Sequence, residues 1–321
     1  MHKLYIVMYY YVRDLENSRY PKIKGLKHDL FKKQMEFFKQ NFNVITMEEA
    51  IAAYYESYEI PEDSMLLTFD DGYIDHYTFV YPVLKAYHMQ GTFFVPGKTF
   101  TENKVLDVNK IHFILASTPI EVLMKDLFKY LDYYRGRTFD YPSNKELFEE
   151  FAVANRFDPK EVIFLKRILQ VVLPEALRNE ITQKLFEKRV GVDESVLSRE
   201  LYMNYDQIKC MKNDGMFIGY HGYDHYWNNK LTPLELKNDV RKGLTCLEGL
   251  YDPSAWIMSY PYGSYNDDVI SYVSGIGCKL GFTTDLGVCT IDSEKLRLPR
   301  LDTNDFPPKS RNFVKYREQA V

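Results

Sequence analysis

Short apolar runs recur along the chain at residues 4–12, 65–69, 92–95, 216–220, 256–260 and 280–283. Each has the length of a strand, and between several of them the apolar spacing becomes helical. Phe31, Met35 and Phe38 fall on one helical face. Residues 47–55 read as a helix capped by Thr46, with Glu49 three positions on closing a capping box. Residues 77–87 and 233–247 read the same way. Thr232 opens the latter, with Pro233 at its first position and Glu235 at its third. Strands alternating with helices predict a parallel sheet or a (β/α) barrel.

From about 101 to 200 the rhythm changes. Thr118-Pro119-Ile120-Glu121 reads as a capping box, followed by Val122, Leu123, Leu127, Phe128 and Leu131 along one face. Ser143 with Glu146, and Asp158-Pro159-Lys160-Glu161, read as two further helix starts. Helix after helix without a strand predicts a helical insertion at about 101–200 in one domain spanning 1–321.

Composition narrows the function. The 321 residues are 45% hydrophobic and 27% charged, with a net charge of −4 and no Lys/Arg-rich block, so nucleic acid is not an expected partner. Tyrosine is abundant, 27 residues against 2 Trp, and its amphipathic ring suits both a core rim and a sugar. The four cysteines form no C-x-x-C pair, which argues against a zinc ribbon or a redox motif and fits a reduced compartment. The first apolar run is too short to span a bilayer and too tyrosine-rich for a signal core. The expectation is a cytoplasmic protein without an integral membrane segment; oligomeric state is left open.

Three strand ends carry candidate chemistry. Leu66-Leu67-Thr68-Phe69-Asp70-Asp71-Gly72-Tyr73 ends an apolar run in two adjacent carboxylates. Two like charges there are costly unless a cation or a proton relieves them. Gly219-Tyr220-His221-Gly222-Tyr223-Asp224-His225 sets two imidazoles four residues apart, a spacing at which both can reach one metal. Two His and one carboxylate would leave coordination positions open for water and substrate. Ser259-Tyr260-Pro261-Tyr262-Gly263 is a rigid turn whose backbone N–H groups can face an oxyanion. Taken singly, each has a plain alternative: a helix-capping Asp, a surface His pair, an ordinary turn.

In this order the three resemble the motifs of the polysaccharide deacetylase family (the NodB-homology domain, carbohydrate esterase family four): T-F-D-D-G, H-x-x-x-H and a motif ending in P-Y-G. Gly91-Thr92-Phe93-Phe94-Val95 resembles the family's next strand, and Leu298-Pro299-Arg300-Leu301-Asp302 a late motif of one bacterial branch. The resemblance implies a deformed (β/α) barrel. It also implies metal-dependent hydrolysis of an N-acetyl or similar acyl amide on a sugar or surface-polysaccharide intermediate, a C–N bond other than a peptide. Asp70 would be the base and a metal-bound water the nucleophile. Asp71, His221 and His225 would hold a divalent metal, zinc before cobalt, nickel or manganese. Tyr262 would give its backbone N–H to the oxyanion, with Gly263 and Arg300 also on the substrate side.

The pattern departs from the family in two places. Ser259 stands where many members carry an Arg that orients the base, and Arg300 is the candidate replacement. No His follows His225, although many relatives use a late His as general acid, and Tyr10 stands where a branch carries a His in its first strand. The acid is then a tyrosine, a carboxylic acid or metal-bound water, and among side chains Tyr10 is the candidate. A catalytically weak or silent sugar-binding protein that keeps the metal site, and an amide hydrolase of the same fold on a non-sugar substrate, are the alternatives.

Overall fold

The computed structural model describes residues 2–317 apart from Thr138 and Arg156. The chain divides into two compact units, one formed by the described residues of Met1–Asp14, Gly25–Lys104 and Ser198–Val321, the other by Leu15–Lys24 and Val105–Leu197.

The first unit is built on strands β1 (Lys3–Tyr9), β2 (Asn43–Val44), β3 (Ser64–Phe69), β4 (Thr92–Val95), β5 (Phe217–Tyr220), β6 (Met258–Ser259), β7 (Gly281–Phe282), β8 (Cys289–Thr290) and β9 (Leu301–Asp302). They run in the order β7-β6-β5-β4-β3-β1-β8, with β2 also on β3 and β9 also on β1. Every pairing is parallel except that of β8 with β1. The mixed sheet curls into a half-barrel with helices around it, the deformed (β/α) architecture that the motifs imply. The first strand stops at Tyr9, three residues short of the apolar run, and β2, β8 and β9 are too short to register as apolar runs.

Both faces of the sheet are buried, as a parallel sheet requires. Tyr5, Val7 and Tyr9 of β1, Met65, Leu67 and Phe69 of β3, and Phe93 and Val95 of β4 pack with Phe31, Met35 and Phe38 of the helix His28–Asn41. The alternate residues Leu4, Ile6, Leu66 and Phe94 turn to the other face, toward Phe282, Leu298 and the helix Met47–Tyr55. One segment touches both sides of the sheet's opening. Leu298 bridges Phe282 of β7 in parallel, and three residues later Leu301 pairs with Val7 of β1. Arg300 lies between these two pairings.

The second unit contains the helices Asp107–Ser117, Ile120–Tyr134, Asn144–Phe151, Lys160–Arg167 and Glu175–Arg189. It includes the early segment Leu15–Lys24, which the sequence does not announce. Lys24 donates to Asp158, and Tyr20 meets Phe113 edge-on at 4.8 Å. Ser143 and Glu146 form their capping box. Thr118 does not cap: its N–H bonds Ile114 O to close the preceding helix, so Pro119 becomes the N-cap of the next. Asp158 does not cap either, because Lys24 and Lys166 take both of its oxygens. No helix among the described residues is long and apolar enough to cross a membrane.

β4 and β5 approach one another where Phe94 faces Gly219, and a Cβ on Gly219 would stand 2.5 Å from the Phe94 ring. Gly219→Ala is expected to lower unfolding free energy by about 1–3 kcal/mol, the usual cost of overpacking a core. Urea unfolding of the two chains checks this; an unchanged midpoint would mean that the ring moves aside freely.

Candidate active site

Because β3, β5 and β6 are parallel neighbours across β4, the residues that follow them emerge at one end of the sheet. The chain turns sharply there. Asp71, His225 and Tyr262 all hold left-handed backbones, with φ of 74°, 59° and 58°. Such a conformation costs a non-glycine residue about 1–3 kcal/mol and persists where its surroundings over-determine it. Gly263 turns left-handed as well, at φ 65°, and a Cβ there would stand 2.1 Å from Thr284 Oγ1.

Asp70 is 1% exposed and faces Arg300, which is 0% exposed. The guanidinium grips the carboxylate with both prongs, Nη1 to Oδ1 at 2.9 Å and Nη2 to Oδ2 at 2.7 Å. Its three other N–H groups go to Thr68 Oγ1 (3.1 Å), Ser259 Oγ (3.0 Å) and the Thr283 carbonyl (2.8 Å). All five donors of the guanidinium are thus taken up by the protein. Burial would lower its pKa, but the Asp70 carboxylate outweighs that and raises it. Grouped on the substrate side from sequence, Arg300 instead lies beneath Asp70, where it has no donor left for a substrate. Ser259 fills the place of the missing motif Arg and shares Asp70 with Arg300 through its hydroxyl, which donates to Oδ2 at 3.3 Å.

Asp71, His221 and His225 converge, all buried, with one ligand atom from each within 4.8 Å of the others. Both Nε2 atoms lie 3.3 Å from Asp71 Oδ1. Burial alone would raise the Asp71 carboxyl, but the two imidazoles outweigh it and hold it well below the usual range. His221 moves up, because the Asp70 and Asp71 carboxylates overcome its burial.

The donor set fits a divalent metal. His221 Nδ1 lies 2.8 Å from the Ser259 carbonyl, which can only accept, so Nδ1 carries a proton and, in its neutral form, the ring holds its lone pair on Nε2. That lone pair faces Asp71 Oδ1, a buried oxygen that accepts no hydrogen bond among the described residues. Two acceptors at this separation call for a proton or a cation between them.

Three residues that sequence reasoning passed over hold this arrangement. Tyr73 donates its phenol to Asp71 Oδ2 at 2.6 Å. Asp239, buried in the helix Pro233–Cys246, accepts from Tyr220 Oη (2.8 Å), Tyr223 N (3.0 Å) and Asp224 N (3.1 Å), and so fixes the loop that carries both histidines. Trp227 stacks on Tyr262 at 4.7 Å, and His225 also meets the Tyr262 ring, at 4.6 Å. The adjacency of Tyr73 to D-D-G was visible, but nothing local marked Asp239 or Trp227.

Tyr10 follows the end of β1, level with Asp70. Its hydroxyl is directed at Met8 Sδ, 3.9 Å away. Burial, and after it the Asp70 carboxylate, push this phenol up, against some relief from Arg300.

Set beside known proteins, this fold and these strand ends have a clear match. The sequence pattern described as Polysaccharide deacetylase matches residues 57–126 and 175–281, more than half of the chain, and the chain belongs to that family. Among its relatives is YxkH of Bacillus subtilis (strain 168), which carries a provisional polysaccharide deacetylase name. It is 21% identical over 300 residues, which cover 93% of this chain and 71% of YxkH. Of solved structures, the Streptococcus pyogenes deacetylase PplD in complex with acetate superposes with a TM-score of 0.59 at 19% identity, covering 98% of this chain and 97% of that one. IcaB from Ammonifex degensii gives 0.56 at 19%, covering 98% and 96%. The de-N-acetylase from Aggregatibacter actinomycetemcomitans gives 0.56 at 18%, covering 97% and 99%. At these identities the superpositions show a shared fold.

Breaking a buried ion pair on one side leaves the other charge stranded. Arg300→Met is expected to destabilise the chain by about 3–5 kcal/mol, and adding Asp70→Leu is expected to restore part of that loss. Urea unfolding of the single and double variants in chelator checks the coupling; equal destabilisation in both would refute it.

Proposed function

We propose that this protein is a metal-dependent deacetylase that removes an N-acetyl, or similarly small acyl, group from a sugar of a polysaccharide or its precursor. We treat the chain as one deacetylase domain interrupted by the helical unit. The observation that carries the reading is the separation of two adjacent carboxylates, Asp71 among imidazoles and Asp70 on a guanidinium. A metal site alone requires Asp71, His221 and His225; a neighbouring carboxylate held in place by five-donor Arg300 has its use in moving a proton. This favours catalysis over a silent sugar-binding role.

In this reading Asp71, His221 and His225 hold a divalent cation, which when bound would acidify a water and polarise an acyl carbonyl. Zinc suits the two-imidazole, one-carboxylate set, with cobalt, nickel or manganese as alternatives. Asp70 takes the proton from the attacking water, and Arg300 keeps both of its oxygens oriented through the step. The Tyr262 N–H steadies the oxyanion from the left-handed turn, and the Tyr262–Trp227 pair offers a flat apolar wall to a sugar ring.

With no late His, the leaving amine takes its proton from Asp70 itself, which has just acquired one. A single carboxyl group can act as base and then as acid, as the Glu of zinc-dependent deaminases does. Tyr10 is the competing donor.

The test is acetate release from a panel of N-acetyl sugars, with and without chelator. Activity is expected to vanish with metal removal and to return with zinc. Asp71→Asn is expected to lose metal, whereas Asp70→Asn should keep it and lose about 10²-fold or more in turnover. Equal metal loss in both variants would refute the division of roles. Tyr10→Phe tests the competing donor: retained turnover removes the phenol from the mechanism, and loss of turnover assigns the proton to it.

A further inference from the structure

We infer that Tyr73 is a positioning residue for the metal centre: its phenol reserves one oxygen of Asp71 for the protein, so that only Oδ1 is offered to a cation. The inference rests on the metal-dependent reading above and adds to it a residue that decides how Asp71 is presented.

Asp70 and Asp71 are neighbours in sequence and both buried, yet their partners differ in kind. Asp70 meets a cation, Arg300, whereas Asp71 Oδ2 meets a neutral phenol at 2.6 Å. A neutral donor fixes the carboxylate without cancelling its charge, which a cation-binding oxygen must keep. Oδ1 is left 3.3 Å from both imidazole nitrogens and accepts no hydrogen bond among the described residues. One oxygen is thus directed to the protein and the other to the cluster.

The phenol is itself held firmly. The Tyr73 ring is 0% exposed and lies against Tyr11, with centroids 4.0 Å apart and planes at 19°. Tyr202 lies parallel to it, within 9°, at 6.1 Å. Beyond Tyr11, the Arg13 guanidinium sits 4.6 Å over the ring and is anchored to Asp75 at 2.7 Å. The backbone of this turn is tied down as well, by Met203 N donating to the Gly72 carbonyl at 3.0 Å and by the bridge of Tyr73 to Tyr202. Asp71 has a left-handed backbone at φ 74°, a conformation that persists where its surroundings over-determine it, and the bond from the Tyr73 phenol is one of those restraints. Groups that orient a metal's carboxylate or imidazole ligands commonly change metal affinity by about 10- to 100-fold when removed.

Zinc(II) is the probe, titrated into the metal-free protein in competition with a chromophoric chelator. Tyr73→Phe keeps the ring stack and deletes one hydroxyl. It is expected to weaken zinc binding by about 10- to 100-fold, with the metal-free far-ultraviolet circular dichroism unchanged. Zinc affinity equal to that of the native chain, even with a lowered melting temperature, would overturn the inference and reduce Tyr73 to a packing residue. Failure of the native chain to bind zinc would overturn the metal-dependent reading as well, so the two failures are distinct. Should Tyr73→Phe not fold, the native chain labelled with ¹³Cζ-tyrosine answers the same question. Zinc should shift the Tyr73 resonance through its bond to Asp71, and an unmoved resonance at saturating zinc would overturn the inference.

Discussion

The structure turns on a single constraint: two adjacent, buried carboxylates at the end of β3 must each be satisfied without sharing a partner. In a region of low dielectric their mutual repulsion and desolvation would favour protonation of one of them. Arg300 relieves Asp70 with a two-pronged pair and leaves Asp71 to the imidazoles. That pairing also bears on the sheet. Arg300 reaches Asp70 only because the segment Leu298–Leu301 touches β7 at one end and β1 at the other. The contact that joins the sheet's two sides is the contact that orients the Asp70 carboxylate.

This explains what could be read in the sequence. The strands that carry Asp70 and His221 were legible as apolar runs, and the helix Met47–Tyr55 was legible from Thr46 and Glu49, because period and cap are local properties. The cluster of Asp71, His221 and His225 was likewise foreshadowed by two motifs, each complete within a few residues. Arg300 was only half legible. Its candidacy to orient the base came from the gap at Ser259, but its burial did not, since β9 is two residues long and its neighbours in space are 230 and 17 positions away in the chain. Asp239 had no signal at all, because a carboxylate in an amphipathic helix looks solvated until the loop it binds is in place.

The failed caps illustrate the same division. Thr118 has the right spacing for a capping box, yet its backbone is already committed to the end of the previous helix. Asp158 precedes a helix but is drawn away by two lysines, one of them from the segment Leu15–Lys24. Local chemistry proposes a cap, and a competing partner distant in sequence takes the side chain.

Strain at the strand ends follows from what the site must do. A strand that continued straight would carry its side chains alternately to opposite faces, and adjacent residues such as Asp70 and Asp71 could not serve neighbouring partners. The left-handed turn at Asp71 redirects the second carboxylate, and the left-handed turn at His225 brings the second imidazole back toward the first. Tyr262 does the same for the third loop. Three costly backbone conformations at three strand ends are maintained because each is over-determined: Asp71 by the phenol of Tyr73, the histidine loop by Asp239, the Tyr262 turn by its stack on Trp227. The rigidity of the site therefore comes less from the strands themselves than from these three clamps, none of which belongs to a motif.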